Sequence, residues 1–141
     1  MASSILSPEN IRFNASVDSK EEAIRLTGQL LVERGYVKPA YVDTMLEREQ
    51  LTSTYMGNYV AIPHGTEAGK ENVIESGIVI VQVPDGVDFG DGNIVKLLIG
   101  IAAKGDEHLE ILSKIALLVA EEENVHQIVQ AETDEEIMKF F

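Results

Sequence analysis

The sequence predicts a single α/β domain, built as a three-layer sandwich with a central mixed β-sheet and helices on both faces. Residues 78–83 and 97–102 are almost uninterrupted aliphatic runs, which is typical of strands covered on both sides. Amphipathic helical patterns occur before and after these runs, and two-sided strands mixed with helices form layered α/β domains. The length of 141 residues suits one compact unit, and no linker interrupts it, so we assign residues 1–141 to one domain.

The first part of the chain predicts a short edge strand at 11–13, followed by a helix. Ser19 and Glu22 have the spacing of a capping box, and an apolar stripe follows them. Gly35 is a suitable terminator for this helix because glycine readily adopts the left-handed conformation that ends helices.

A second helix and a short strand are predicted next. Pro39 suits the first turn of a helix that runs to about Glu49. The apolar run 59–62 is closed by Pro63, a pattern that indicates a strand ending in a loop.

The two aliphatic strands are predicted to be separated by turns. Residues 84–86, Pro-Asp-Gly, are expected to reverse the chain, and residues 90–93 are expected to form another loop.

The last third of the chain is predicted to be helical. Asp106 is placed to cap a helix over 107–120. Two short helices are expected at 125–131 and 134–140. The residues predicted to face inward on the long helix are Leu109, Leu112, Ile115, Ala116 and Val119.

Composition excludes several classes of function. The formal net charge of -13 disfavours binding to nucleic acid, although it would attract a basic protein partner if it is more than a solvated acidic face. The absence of cysteine excludes disulfides, thiolate catalysis and iron–sulfur sites. We expect no signal peptide, and the most apolar stretch, 95–103, is shorter than the roughly 20 residues of a membrane span. The expected location is the cytoplasm, with no direct insertion into a membrane.

Common catalytic motifs are absent. Residues 65–70 depart from a phosphate-binding loop, because three residues rather than four separate the glycines. Asp85, Asp88 and Asp91 lack the spacing of a calcium loop, and neither HExxH nor Gly-x-Ser-x-Gly occurs.

His64 is the strongest candidate for a reactive side chain. It follows Pro63 at the carboxyl end of a predicted strand, where ligands gather in open α/β sheets. Pro63 stiffens the entry to the histidine, and Gly65 is expected to leave room for another molecule. An imidazole with an ordinary pKa near 6.5 is largely neutral at pH 7 and can act as a nucleophile. A histidine that merely caps a turn is the alternative.

Three other side chains could belong to a functional site or be purely structural. His108 lies in the first turn of the long helix, where the helix dipole favours a neutral ring and can receive an anion, although a partly exposed structural residue fits equally. Arg48 could neutralise an anion, or it could pair with Glu47 or Glu49 at the surface. His126 is interpreted as a surface residue.

Residues 49–65 read Glu-Gln-Leu-Thr-Ser-Thr-Tyr-Met-Gly-Asn-Tyr-Val-Ala-Ile-Pro-His-Gly. This segment resembles, without a gap, the active-site signature of the mannitol/fructose-type enzyme IIA domains of the bacterial phosphoenolpyruvate-dependent sugar phosphotransferase system. The likeness extends over essentially the whole chain, including the later Gly-Ile-Ala-Ala and Glu-His-Leu segments. Residues 52–55, 59–66 and 106–108 are more similar to mannitol members than to fructose members.

The resemblance implies a phosphoryl carrier and assigns its parts. His64 would carry the phosphoryl group, His108 would be a second active-site histidine, and Arg48 would stabilise the group. The donor would be the histidine phosphocarrier protein, and the acceptor a cysteine of a membrane-bound mannitol-type enzyme IIB/IIC. No cofactor or metal ion is expected beyond the transient phosphohistidine.

Two alternatives remain open from the residues. A regulatory module could use phosphorylated His64 as a switch without serving a transporter. A hydrolase could hold a metal ion with His64, His108 and nearby acids, although the spacing matches no established ligand pattern.

Overall fold

Five strands, five α-helices and two 3₁₀ turns make up residues 6–141, the part of the chain that the computed structural model describes. The strands are β1 (Ile11–Arg12), β2 (Tyr55–Gly57), β3 (Val60–Ala61), β4 (Gly77–Asp88) and β5 (Ile94–Ala102). The helices are α1 (Lys20–Glu33), α2 (Tyr41–Leu51), α3 (Glu107–Val119), α4 (Glu122–Gln130) and α5 (Asp134–Met138). The 3₁₀ turns are Pro8–Asn10 and Glu67–Asn72.

The strands form one mixed sheet in the order β1-β4-β5-β3-β2. The long central pair, β4 and β5, is antiparallel, while β1 runs parallel to β4 and β3 runs parallel to β5. The outer strand β2 is antiparallel to β3. The predicted mixed sheet is confirmed, and 11–13 does lie at its edge.

Alternate residues of the central strands face two separate cores. Val79 and Val81 pack with residues of α1 and α2 on one side. Ile78 and Ile80 pack with α3, α4 and α5 on the other. Because both faces are covered by helices, both strands read as continuous aliphatic runs. The predicted three-layer sandwich is therefore confirmed.

The prediction of a turn at 84–86 is wrong. These residues lie inside β4, where the register with β5 shifts between Gln82 and Val87. A proline lacks a backbone N–H, so an irregular stretch of ladder accommodates it without losing a regular hydrogen bond. The chain reverses instead around Gly90, Asp91 and Gly92, all at positive φ, as the predicted loop at 90–93 requires.

The start of α3 also differs from expectation. Asp106 occupies the N-cap position, but its side chain makes no capping hydrogen bond, and its backbone lacks the extended conformation that capping uses. Leu109 was predicted to face inward and is 73% exposed, whereas Ile111 is buried. The first turn of α3 contributes to the lining of an open cavity, which leaves the side chain of residue 109 largely uncovered by residues 6–141.

The other predicted elements are present with ends that differ by a few residues, and β2 was not predicted. Ser19 does cap α1, accepting a hydrogen bond from the Glu22 backbone N–H at 3.1 Å. Within the described residues, no helix combines the length and the apolar character needed to cross a membrane.

Candidate active site

His64 lies three residues beyond the carboxyl end of β3 and is only 8% exposed. Its Nδ1 atom is 2.7 Å from the backbone carbonyl oxygen of Ile62. A carbonyl oxygen only accepts hydrogen bonds, so Nδ1 carries the hydrogen and Nε2 carries the lone pair.

The backbone on either side of the histidine is held by neighbouring strands. The Ile101 N–H donates to the Pro63 carbonyl at 3.0 Å, which ties the loop to the end of β5. The Ile62 N–H donates to the Thr54 carbonyl at 3.0 Å, which ties it to the residue before β2. Since a ring this constrained loses little entropy on reacting, the loop is suited to present one nitrogen in one orientation.

The hydroxyl of Tyr41 supplies a third tie, from α2. It accepts the Gly65 N–H at 2.8 Å and donates to the Ile101 carbonyl at 2.9 Å. The phenol is buried, and burial raises its pKa, so it remains a protonated donor.

Gly65 is needed for a different reason from the one predicted. A Cβ built on this residue would lie 2.6 Å from the Tyr41 ring and 2.5 Å from the Thr44 hydroxyl. The glycine therefore permits the loop to pack closely against α2, rather than clearing space for an incoming molecule.

His64 faces an open cavity of about 490 Å³ between α2, α3 and the 3₁₀ turn after the histidine. The ring of His108 stands with its centroid 5.1 Å from that of His64, tilted by 56°. The structure also places Arg48 in the wall of this cavity, so the three residues predicted from the sequence come together. The complete lining is Tyr41, Arg48, Leu51, Ile62, His64, Gly65, Thr66, Glu67, Lys70, Val73, Ala103, His108, Leu109 and Leu112.

The guanidinium of Arg48 makes no ion pair with Glu47 or Glu49 within residues 6–141. It donates instead to the Thr52 carbonyl at 2.6 Å, a bond that holds it at the end of α2. Its charge therefore remains available at the cavity.

Lys70 is a site residue that the sequence reasoning missed. Its ammonium lies 3.1 Å from the Glu67 carboxylate and is partly exposed. Residues 67–72 form a 3₁₀ turn, which brings Lys70 back toward the histidine that it follows in the chain. The sequence shows a lysine six residues after the candidate nucleophile. It does not show the 3₁₀ turn that places this lysine in the cavity lining.

Both cavity histidines have a pKa below the ordinary value of an imidazole. Burial is the main reason that the pKa of His64 lies below its ordinary value, and the nearby His108 and Arg48 lower it further. The Ile62 carbonyl and the Glu49 carboxylate oppose this decrease. Burial also lowers the pKa of His108, followed by the charge of Lys70. Both shifts favour the neutral imidazole, and a neutral His64 with a free Nε2 lone pair beside Arg48 and Lys70 has the chemistry expected of a nucleophile.

Two further predictions concern residues outside this cluster. His126 is exposed on α4, as predicted, with its Nε2 3.0 Å from the side-chain nitrogen of Gln130. Across residues 6–141, no three histidine or carboxylate side chains converge in a group that could bind one metal ion.

Comparison with known proteins identifies relatives along nearly the whole chain. The family model described as "Phosphoenolpyruvate-dependent sugar phosphotransferase system, EIIA 2" matches residues 4–141. A mannitol-specific phosphotransferase enzyme IIA component of Geobacillus stearothermophilus is 64% identical over 138 residues, covering 98% of this chain and 95% of the relative.

Two solved structures from Escherichia coli have the same fold. One is a complex of enzyme IIA for mannitol with phosphorylated enzyme IIB, at a TM-score of 0.90 and 39% identity, covering 96% of this chain and 95% of that one. The other is a crystal structure of IIA mannitol, at a TM-score of 0.89 and 39% identity, covering 96% and 97% of the two chains.

The mixed α/β sandwich, together with these relatives, defines a phosphotransferase component. More particularly, the chain belongs to the type 2 EIIA family of the phosphoenolpyruvate-dependent sugar phosphotransferase system.

Replacement of the Tyr41 hydroxyl should weaken both the fold and the site. In Tyr41→Phe the Gly65 N–H loses its acceptor, which should lower the free energy of unfolding by about 1–3 kcal/mol in urea titrations. Tyr36→Phe is a matched control, because its buried hydroxyl accepts from Asn10 and does not line the cavity. Only Tyr41→Phe should shift the NMR signals of the His64 ring. Equal shifts in both variants would show that the hydrogen bond from Gly65 to the Tyr41 hydroxyl does not position the ring.

Acid should destabilise the protein partly through His64. Because the pKa of His64 in the folded state lies below the ordinary value of about 6.5, the unfolded state binds the proton first as pH falls, and stability is lost below about pH 6.5. Above that pH the contribution is fully present. In His64→Ala the loss of unfolding free energy between about pH 7.5 and 5.5 should be smaller than in the wild type. Parallel losses in the two proteins would show that burial of this imidazole is not the cause.

Proposed function

We propose that this chain is a phosphoryl carrier. The Nε2 atom of His64 accepts a phosphoryl group from the phosphohistidine of the histidine phosphocarrier protein. It then passes the group to a cysteine of a sugar-specific enzyme IIB. The observation that carries this proposal is the 2.7 Å contact between Nδ1 and the Ile62 carbonyl, which leaves Nε2 as the nucleophilic nitrogen in a cationic cavity.

The two half-reactions balance without any further reactant. In the first, the Nε2 lone pair forms a bond to phosphorus while the donor's N–P bond breaks and its electron pair returns to the donor's ring. In the second, a thiolate sulfur attacks the phosphorus and the N–P electron pair returns to His64. Both steps require donor and acceptor roughly in line across phosphorus, so positioning and charge compensation supply most of the catalysis.

Arg48, Lys70 and His108 would compensate the charge of the phosphoryl group. A chain with a formal net charge of -13 repels an incoming dianion, so positive groups are needed locally. Arg48 and Lys70 carry full charges at the cavity wall, and the neutral ring of His108 can donate one hydrogen bond. These groups make a resident metal ion or cofactor unnecessary.

The mouth of the cavity has the character of a protein-docking surface. Leu51 and Leu109 line it while 74% and 73% exposed, and both are large apolar side chains without a covering partner among residues 6–141. Exposed apolar side chains around a reactive group are typical of interaction sites. The acidic surface would speed the encounter with a basic donor protein.

The acceptor and sugar are inferred from the relatives. The Escherichia coli neighbour was solved with phosphorylated enzyme IIB, and the Geobacillus stearothermophilus relative is named mannitol-specific. We therefore propose a mannitol-type enzyme IIB/IIC as acceptor, with this chain working at the cytoplasmic side of the membrane that holds IIC.

Phosphorylation of His64 can be tested directly. Incubation with enzyme I, histidine phosphocarrier protein and labelled phosphoenolpyruvate should place acid-labile label on the wild-type chain and none on His64→Ala. His108→Ala should still be labelled but transfer more slowly to enzyme IIB. NMR of the phosphorylated protein should locate phosphorus on Nε2. Label on another residue, or phosphate on Nδ1, would overturn the mechanism.

The cavity cations should contribute unequally to the rate. Arg48→Ala should slow transfer about a hundredfold, in the range for loss of one preorganised donor. Lys70→Met should slow it about tenfold, the effect of roughly 1.4 kcal/mol in the barrier. Lys70→Arg keeps the charge and should recover most of the rate. Lys114→Met, which alters an exposed ion pair on α3 outside the cavity lining, is the control. If Lys70→Met transfers the phosphoryl group as fast as this control does, Lys70 does not contribute to the transfer.

A further inference from the structure

Glu49 is a carboxylate buried close to the active site, with only 5% of the residue exposed. Its Oε1 atom accepts hydrogen bonds from the Thr54 backbone N–H at 3.0 Å and from the Thr54 hydroxyl at 2.6 Å. Its Oε2 atom is buried and has no hydrogen-bond partner among residues 6–141. The Lys20 ammonium, on α1, lies 3.8 Å from Oε2.

This arrangement leaves the negative charge unexplained by structure alone. One oxygen makes both hydrogen bonds, and a neutral glutamine could make them with its carbonyl oxygen. Burial of an ionised carboxylate costs several kcal/mol unless it is well paired, and a cation at 3.8 Å with no hydrogen bond is a weak partner. A charge kept at that cost is expected to act on something nearby.

The reactive histidine is connected to this carboxylate through the backbone. Glu49 holds Thr54, and the Thr54 carbonyl accepts the Ile62 N–H at 3.0 Å. The Ile62 carbonyl in turn accepts the His64 Nδ1–H at 2.7 Å. These hydrogen bonds fix the Thr54 and Ile62 backbone relative to both side chains, and the carboxylate charge acts on the ring through space in a medium of low dielectric.

The proposed phosphoryl transfer creates a need for such a charge. When Nε2 bonds to phosphorus while Nδ1 keeps its hydrogen, the ring itself becomes formally cationic. The cations at the cavity mouth stabilise the phosphoryl oxygens but repel this ring. Arg48 on α2 and Glu49 act on the ring through their charges, in opposite directions. Glu67 also lines the cavity, but its exposed carboxylate pairs with Lys70, whereas Glu49 is buried.

We propose that Glu49 is a positioning residue that also serves as the fixed countercharge of the phosphorylated His64 ring. The inference rests on the proposed carrier function. Its ionised carboxylate orients the Thr54–Ile62 segment behind the ring and compensates the positive charge that the ring acquires during transfer. In the unphosphorylated protein the same carboxylate keeps the pKa of His64 from falling further.

Glu49→Gln in the full chain tests this role, because it preserves the Oε1 acceptor and removes only the charge. Two readouts are expected to change. NMR titration of the unphosphorylated variant should give a lower pKa for His64 than in the wild type. The rate of phosphorylation by the histidine phosphocarrier protein should fall about tenfold, which corresponds to roughly 1.4 kcal/mol of lost stabilisation in the transition state.

Three further variants separate charge from geometry. Thr54→Val removes the hydroxyl donor but leaves the carboxylate ionised, so it should change the His64 titration less than Glu49→Gln does. Glu49→Asp restores the charge and should recover part of the rate. Lys20→Met removes the ammonium beside Oε2, so it should raise the pKa of His64, opposite in direction to Glu49→Gln.

The outcomes distinguish this inference from the carrier function. A wild-type chain that accepts no label would refute the carrier function, and the His64 titrations would still report whether Glu49 acts on the ring. A labelled wild type with identical titration and rate in Glu49→Gln would overturn the countercharge. If Glu49→Gln does not fold, Lys20→Met decides, since an unchanged or lowered pKa of His64 there would equally overturn it.

Discussion

The hydrogen bond from His64 Nδ1 to the Ile62 carbonyl is the constraint on which the chemistry of this domain depends. An imidazole has two nitrogens, and only the one without hydrogen can attack. By occupying Nδ1 with a carbonyl two residues earlier in the chain, the loop selects the nitrogen without using another side chain. The hydrogen bonds that Ile101 of β5 and the Tyr41 hydroxyl make with the loop matter because they fix the backbone on either side of His64. They therefore hold the imidazole ring and the carbonyl that accepts its hydrogen in a constant geometry.

The charged groups around His64 differ in sign and in burial. Burial is the main cause of the lowered pKa of His64, and the charge of Arg48 adds to it, so both favour the ring form that has a free lone pair. Arg48 and Lys70 lie in the cavity wall, whereas Glu49 is buried and hydrogen-bonded to Thr54. A formal net charge of -13 repels an anion, so Arg48 and Lys70 are the groups that would offset this repulsion locally in the proposed transfer.

Much of the fold was predictable from the sequence, and the reasons differ by element. The aliphatic runs of β4 and β5 report burial on two faces, a property of the strands themselves. Whether Pro84 turns the chain or sits in a bulge depends on the register with β5, which the local sequence does not contain. The position of His64 just beyond a strand was also predictable, because an apolar run closed by a proline precedes it. Lys70 and Leu109 were misjudged because their neighbours come from elements distant in the chain, and the roles of His108 and Arg48 stay predictions.

The tie through the Tyr41 hydroxyl bears on any attempt to graft this reactive loop onto another scaffold. Copying the Ile-Pro-His-Gly segment alone would transfer the ring but neither the helix that packs on the glycine nor the strand carbonyl that the phenol grips. The smallest portable unit is discontinuous: the loop, one turn of α2 and the last residues of β5. In a host fold without the contacts among the loop, α2 and β5, the histidine ring would rotate freely and behave as an ordinary surface imidazole.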